Sequence, residues 1–228
     1  MQQPNIQSEY DHNFAFHPWN VMLMLTLIAI SGLFLAISVA FIYNRIEQGV
    51  DAVPIPWLFA FNTLILLASS YTIWSAKKKY LEDNTDGYQR SLVFTLILSL
   101  LFLGMQVVAW NQLFSQDIFL NPANNGANYL YLLSGLHFAH VIVGMPFLFL
   151  FIRKTRLEMK DPVTVLVYFS DPEKRLKLRL LSIYWHFLDA LWIALVAFLL
   201  VNYLIRYQTY LQKAGIMYNR CRPSLLNF

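Results

Sequence analysis

Long apolar runs separated by short polar segments dominate this chain, and none shows the alternating pattern of a membrane β-strand. Crossing a hydrocarbon core of about 30 Å takes about 20 mostly apolar helical residues. Five runs reach that length, at about residues 19–43, 56–74, 91–114, 129–152 and 183–205. In lipid every backbone polar group needs an internal partner, so each run is expected to be an α-helix. The pattern predicts an all-α integral membrane protein, a five-transmembrane-helix bundle over residues 19–205. A segment at 1–18 and a tail at 206–228 flank it. The first run does not read as a cleaved signal peptide: Glu9 and Asp11 precede it, and no small-residue cleavage site follows.

Turn signals fall between the runs. Pro54 and Pro56 punctuate the first connection, and the second, SAKKKYLEDNTDGYQR, is a charged hairpin with a turn expected at Asp86–Gly87. The third, NPANNGAN, is neutral and turn-rich. The fourth, residues 153–182, ends in KRLKLRLLS, which predicts a basic surface helix at the interface. Trp19, Trp57, Trp74, Trp110 and Trp185 lie near the ends of runs, where interfacial aromatic belts form. No internal repeat of the transporter kind is evident.

Composition agrees with this picture. The chain is 57% hydrophobic and only 13% charged, against about 25% charged for soluble domains. Charge then adds orientation. Twelve of the 17 Lys and Arg fall on the face shared by the N-terminus and the second and fourth connections. The positive-inside rule places that face, and the N-terminus, in the cytoplasm, with the C-terminus periplasmic. The net charge of +4 reflects this bias and headgroup contacts rather than nucleic-acid binding. The single cysteine, Cys221, excludes an internal disulfide and a cysteine metal cluster.

Ionisable and amide side chains inside the runs are the candidate functional residues, since burial in lipid is costly without a partner. In YWHFLDALW, His186 and Asp189 are three residues apart on one helix face. The imidazole is expected to donate to the carboxylate, as an interhelical locking device or as part of a proton path. In SGLHFAHVIVG, His137 and His140 repeat that spacing between Gly135 and Gly144, small residues that permit close helix approach. Haem or metal ligation would need further histidines at matching depth, and only three of the five histidines lie in runs. Interhelical hydrogen bonding is the simpler expectation. At 1.5 Å per residue, Gln106 and His137 both lie about 22 Å from the inner face and form a plausible pair. Ser69 and Ser70, near the depth of Asp189, are expected to pack helices together. No Gly-rich phosphate loop, serine–histidine–acid triad or paired metal carboxylates occur.

These residues carry a resemblance. YWHFLDALW resembles the Y-W-H-F-V-D-x-x-W signature of subunit III of haem-copper respiratory oxidases, the cytochrome c oxidase subunit 3 family, with Trp185, His186 and Asp189 in register. SGLHFAHVIVG is similar to its T-G-x-H-G-x-H-V-x-x-G segment and is followed by FLFLFIR, ending at Arg153. FNTLILLASSYT resembles the second helix of short bacterial members. The resemblance covers all five runs and implies the short five-helix form, without two N-terminal helices of the seven-helix form. It implies no redox cofactor in this chain, the haems and copper being carried by partner subunits. It further implies packing against catalytic subunit I, with contributions to stability and proton uptake, and structural phospholipid held between helices. Arg153 matches an arginine placed to meet a lipid phosphate. Two departures stand out. The first run reads GLFLAISVAFIY where the family often has S-E-x-x-F, so no buried glutamate is present, and Phe138 replaces the glycine between the two histidines.

The expected function is therefore that of a non-catalytic subunit III of a terminal oxidase in a bacterial inner membrane. Its expected partners are subunit I, other oxidase subunits or a larger respiratory supercomplex, and membrane lipids. The homologous subunit of a quinol oxidase or nitric-oxide reductase is the alternative. A small membrane transporter, which would act alone, is more remote.

Overall fold

A computed structural model describes residues 18–48, 56–116, 118, 125–159 and 162–221. The described chain is helical: α1 (Pro18–Gln48), α2 (Trp57–Leu81), α3 (Thr85–Phe114), α4 (Asn125–Glu158), α5 (Pro162–Ser170) and α6 (Pro172–Cys221). Five of these are long and apolar enough to cross a membrane, and α5, with 9 residues, is not. The first connection, the third for the most part, and the N-terminal segment lie outside the described residues.

Helices α2 and α3 form the tightest hairpin, and α2 also packs on α6. Helix α4 bridges α3 and α6, while α1 rests on α4 and α6 at the periphery. The hairpin turns three residues earlier than the Asp86–Gly87 signal implies, at Asp83–Asn84. Asp83 takes the left-handed conformation (φ 53°), and Asn84 caps α3 by accepting the Gly87 N–H at 2.9 Å. Asp86 and Gly87 therefore sit inside the first turn of α3, where a negative charge suits the helix N-terminus.

The fourth connection is shorter than expected. Helix α4 runs to Glu158, and the basic KRLKLRLLS segment is no separate surface helix but the opening turns of α6. Pro172 sits at the first helical position, where its missing N–H costs nothing, and no proline or glycine follows before Gly215. Nothing in the sequence stops the helix, so it runs for 50 residues, or about 75 Å, more than twice the hydrocarbon thickness.

Burial is inverted relative to a soluble bundle. Leu25, Ile28, Leu64, Phe147 and Ile205 are among many large apolar side chains that face outward. The interior holds Asn62, Ser69, Thr95, Gln106, Ser134, His137 and Asp189. Lipid solvates the apolar exterior, so helix association depends on close packing and interhelical hydrogen bonds. Two apolar clusters hold the bundle. One surrounds Phe59, Phe102, Leu130 and Trp192; the other, nearer the α2–α3 turn, surrounds Tyr80, Tyr88, Leu148 and Trp185.

Aromatic placement separates into two kinds. Trp19, Trp57 and Trp74 are exposed near helix ends, as a membrane interface favours. Trp185 is buried, and Trp110 is half-buried with its indole N–H donating to Ser134 Oγ at 3.1 Å. Those two serve the bundle interior rather than an interfacial belt.

Candidate functional site

The polar interior is assembled mainly from α2, α3, α4 and α6. At its centre toward the α2–α3 turn, His186 Nδ1 of α6 meets Ser70 Oγ of α2 at 2.7 Å. Asp189 of α6 lies near Ser70; it is 4% exposed, and its Oδ2 has no hydrogen-bond partner. A hydroxyl can accept one hydrogen bond and donate another. With Nδ1 protonated, His186 donates to Ser70 Oγ, which leaves the Ser70 hydroxyl hydrogen free to turn toward Asp189. The expected direct bond between His186 and Asp189 is not formed; Ser70 stands between them. The hydroxyl of Ser70, on the facing helix, takes the His186 imidazole instead.

Deeper in the bundle, Asn62 Nδ2 of α2 donates to Gln106 Oε1 of α3 at 2.9 Å, with both side chains fully buried. Gln106 is thus partnered by Asn62 and not by His137. The imidazole of His137 is wholly buried, and neither ring nitrogen has a hydrogen-bond partner. It packs edge-on to Phe102 with ring centroids 5.7 Å apart, and lies 5.0 Å from the Trp192 ring. Trp192 in turn donates its indole N–H to Thr63 Oγ1 at 3.2 Å. Gln106 and His137 are at similar depth by residue count, but Gln106 faces Asn62. Asn62 was missed among the candidates. A buried amide within an apolar run is itself the signal that would have found it.

His140 turns away from His137. Its Nδ1 lies 2.7 Å from the carbonyl of Leu136 on its own helix, and its ring faces Phe34 of α1. The two imidazoles therefore serve different neighbours despite their spacing. The two glycines beside them also part company. A Cβ at Gly144 would lie 2.8 Å from Tyr184 Cε1 and 3.3 Å from Trp185 Cζ3, whereas one at Gly135 would have no heavy atom within 4 Å. Gly144 alone is the close-approach point, and there Tyr184 donates its hydroxyl hydrogen to the carbonyl of His140 at 3.0 Å. Arg153 stands exposed near the end of α4.

A further seam joins α2 to α3. The Thr72 and Thr95 hydroxyls meet at 2.8 Å, and Lys79 Nζ donates to Ser91 Oγ at 2.9 Å. Chemically, these contacts are joints: each ties one helix to another through short neutral or charge-assisted hydrogen bonds. Among the described residues, no three His, Cys, Asp or Glu side chains gather where they could hold a metal ion.

Five long apolar helices around an interior that holds buried polar side chains define a multi-pass helical membrane protein. The family model of cytochrome c oxidase subunit III matches residues 21–204, and the chain belongs to that family. It is 30% identical over 154 residues to a probable cytochrome c oxidase subunit 3 of Rickettsia prowazekii (strain Madrid E), covering 66% of this chain and 49% of that protein. Similarity to the cytochrome c oxidase subunit 3 of Thermostichus vulcanus is 27% over 143 residues, 61% of this chain and 63% of the relative. A probable cytochrome c oxidase subunit 3 of Mycobacterium tuberculosis (strain ATCC 25618 / H37Rv) is 30% identical over 145 residues, 63% and 64% of the two chains. The matched stretch thus spans about half the length of the Rickettsia relative.

Proposed function

We propose that this chain is subunit III of a haem-copper terminal oxidase in a bacterial inner membrane, where it supports the catalytic subunit I without carrying a redox centre of its own. The observation that carries this reading is the family match across residues 21–204, which spans every long apolar helix. The interior chemistry supports it. His186, Gln106 and Trp192 make hydrogen bonds from helix to helix. Such contacts fix the shape of the outer surface that a partner subunit would recognise.

In this reading the N-terminus and the α2–α3 turn face the cytoplasm, following the excess of Lys and Arg at that end. The His186–Ser70–Asp189 chain lies toward the same side, so a secondary part near proton entry is compatible with the joint it makes. Arg153, exposed at that end of α4, is the residue we assign to a phospholipid phosphate.

Purification from bacterial membranes in mild detergent through a tag on this chain tests the assignment. A haem-bearing, histidine-rich membrane polypeptide is expected to co-purify. Recovery of this chain alone, with transport activity after reconstitution, would favour a transporter instead.

A further inference from the structure

In the interior of the bundle, side chains from three helices hold polar atoms that find no hydrogen-bond partner in the protein. They are Oδ1 of Asn62 on α2, Nε2 of Gln106 on α3, and both ring nitrogens of His137 on α4. All three residues are 0% exposed, so neither a lipid nor a partner subunit reaches these atoms. They belong to one layer. Asn62 Nδ2 donates to Gln106 Oε1, and Gln106 and His137 are at similar depth by residue count. His137 packs on Phe102, four residues before Gln106 and on the same face of α3. It also packs on Trp192, whose indole N–H donates to Thr63, the residue next to Asn62.

Buried polar atoms are almost always paired, with protein or with ordered water. Within a membrane the need is greater, because hydrocarbon offers no partner. The chemistry of the unpaired atoms says what would satisfy them. Gln106 Nε2 donates, Asn62 Oδ1 accepts, and a neutral imidazole adds one donor and one acceptor. Rotating both amides by 180° exchanges their donor and acceptor and leaves the same count. A mixed set of this kind suits no ion. A cation would meet the Gln106 N–H groups, and an anion would meet the Asn62 carbonyl oxygen. The set suits a neutral molecule that both donates and accepts. Aromatic rings flank the imidazole closely, with centroids 5.7 Å away at Phe102 and 5.0 Å away at Trp192, so that molecule has to be small.

We propose that Asn62, Gln106 and His137 form a binding site for an internal water molecule. The water accepts a hydrogen bond from Gln106 Nε2 and donates to Asn62 Oδ1 and to the unprotonated ring nitrogen of His137. Three hydrogen bonds are typical of a buried water. Bound there, it ties α2, α3 and α4 together at one point and gives the enclosed imidazole a polar partner. The site belongs to the bundle itself and does not rest on assembly into an oxidase.

The test uses the full chain, isotope-labelled at histidine and glutamine and reconstituted in lipid bilayers. Magic-angle-spinning NMR follows polarisation transferred from water protons to the carbon-bound ring protons of His137, which do not exchange chemically with water. Transfer to these protons is the expected result in wild type, and its absence would overturn the site. A direct hydrogen bond between Gln106 Nε2 and a His137 ring nitrogen would also overturn it, since the side chains would then satisfy each other. His137→Phe keeps an aromatic ring in the layer but removes one of the three partners. Transfer from water to the Gln106 side chain should then fall at least about twofold, because a buried water is held by only 2–4 hydrogen bonds. Unchanged transfer would overturn the shared site. The wild-type measurement needs no variant, so it decides the matter if His137→Phe does not fold.

Discussion

Gly144 and Gly135 lie on the same helix, look alike in sequence, and should respond to the same substitution with opposite signs. In Gly144→Ala the new methyl would meet Tyr184 Cε1 at 2.8 Å and the Trp185 ring at 3.3 Å. The Tyr184 ring cannot retreat freely, since its hydroxyl is bonded to the His140 carbonyl at 3.0 Å and Trp185 beside it is buried. Overpacking of this kind costs about 1–3 kcal/mol, and a lost hydrogen bond about 1 kcal/mol more. The helix-propensity gain of alanine over glycine offsets about 0.8–1.0 kcal/mol. The net expectation is destabilisation by about 1–3 kcal/mol. Gly135→Ala meets nothing within 4 Å and retains only the propensity gain, so it should be neutral or stabilising by up to about 1 kcal/mol. Unfolding of the purified chain in mixed micelles by a denaturing detergent, followed by Trp fluorescence, reads both. Equal effects of the two substitutions, or a stabilised Gly144→Ala, would refute the account of the α4–α6 contact.

Two further substitutions probe the polar joints. Ser70→Ala removes the group that bonds His186 and neighbours Asp189. It should destabilise by about 1–3 kcal/mol in the same detergent titration, because His186 loses its partner; a neutral outcome would mean that this contact does not hold α2 to α6. Asn62→Leu should likewise cost about 1–3 kcal/mol by stranding Gln106, and the double variant Asn62→Leu/Gln106→Leu should recover most of it. Strict additivity of the two single effects would contradict the Asn62–Gln106 bond. In the proposed assembly, removing residues 208–228 shortens the part of α6 that extends past the membrane. The aromatic and basic tail is proposed to dock on a neighbouring subunit, so weaker retention of partner subunits on a native gel is the expected result, and unchanged assembly would remove that role.

The five helices were legible because lipid imposes a crude, strong constraint: length and apolarity suffice where a soluble fold would need finer patterning. The burial of His137 and Asp189 was legible for the same reason, since polar side chains in a span turn inward. What could not be read was rotation about each helix axis. His186 and Asp189 share a face, yet His186 bonds a serine on another helix. Gln106 and His137 share a depth, yet Gln106 bonds Asn62. Two glycines flank the same histidines, but only Gly144 faces α6 closely. Depth follows from residue count, whereas azimuth follows from tertiary packing, and a single sequence carries little of it. Helix ends failed differently. The Asp–Gly pair signals a turn, but the stronger cap at Asn84 starts α3 before it. The basic run before the last span could continue into it because no breaker separates them.

The proposal at the centre of this account is that the chain is a structural partner whose embedded polar groups join helices, with the redox chemistry in partner subunits. The most direct measurement is an optical spectrum of both fractions after this chain is released from the purified assembly. The account predicts that the haem Soret band stays wholly with the remainder and that the released chain shows none. A Soret band in the released chain would contradict it.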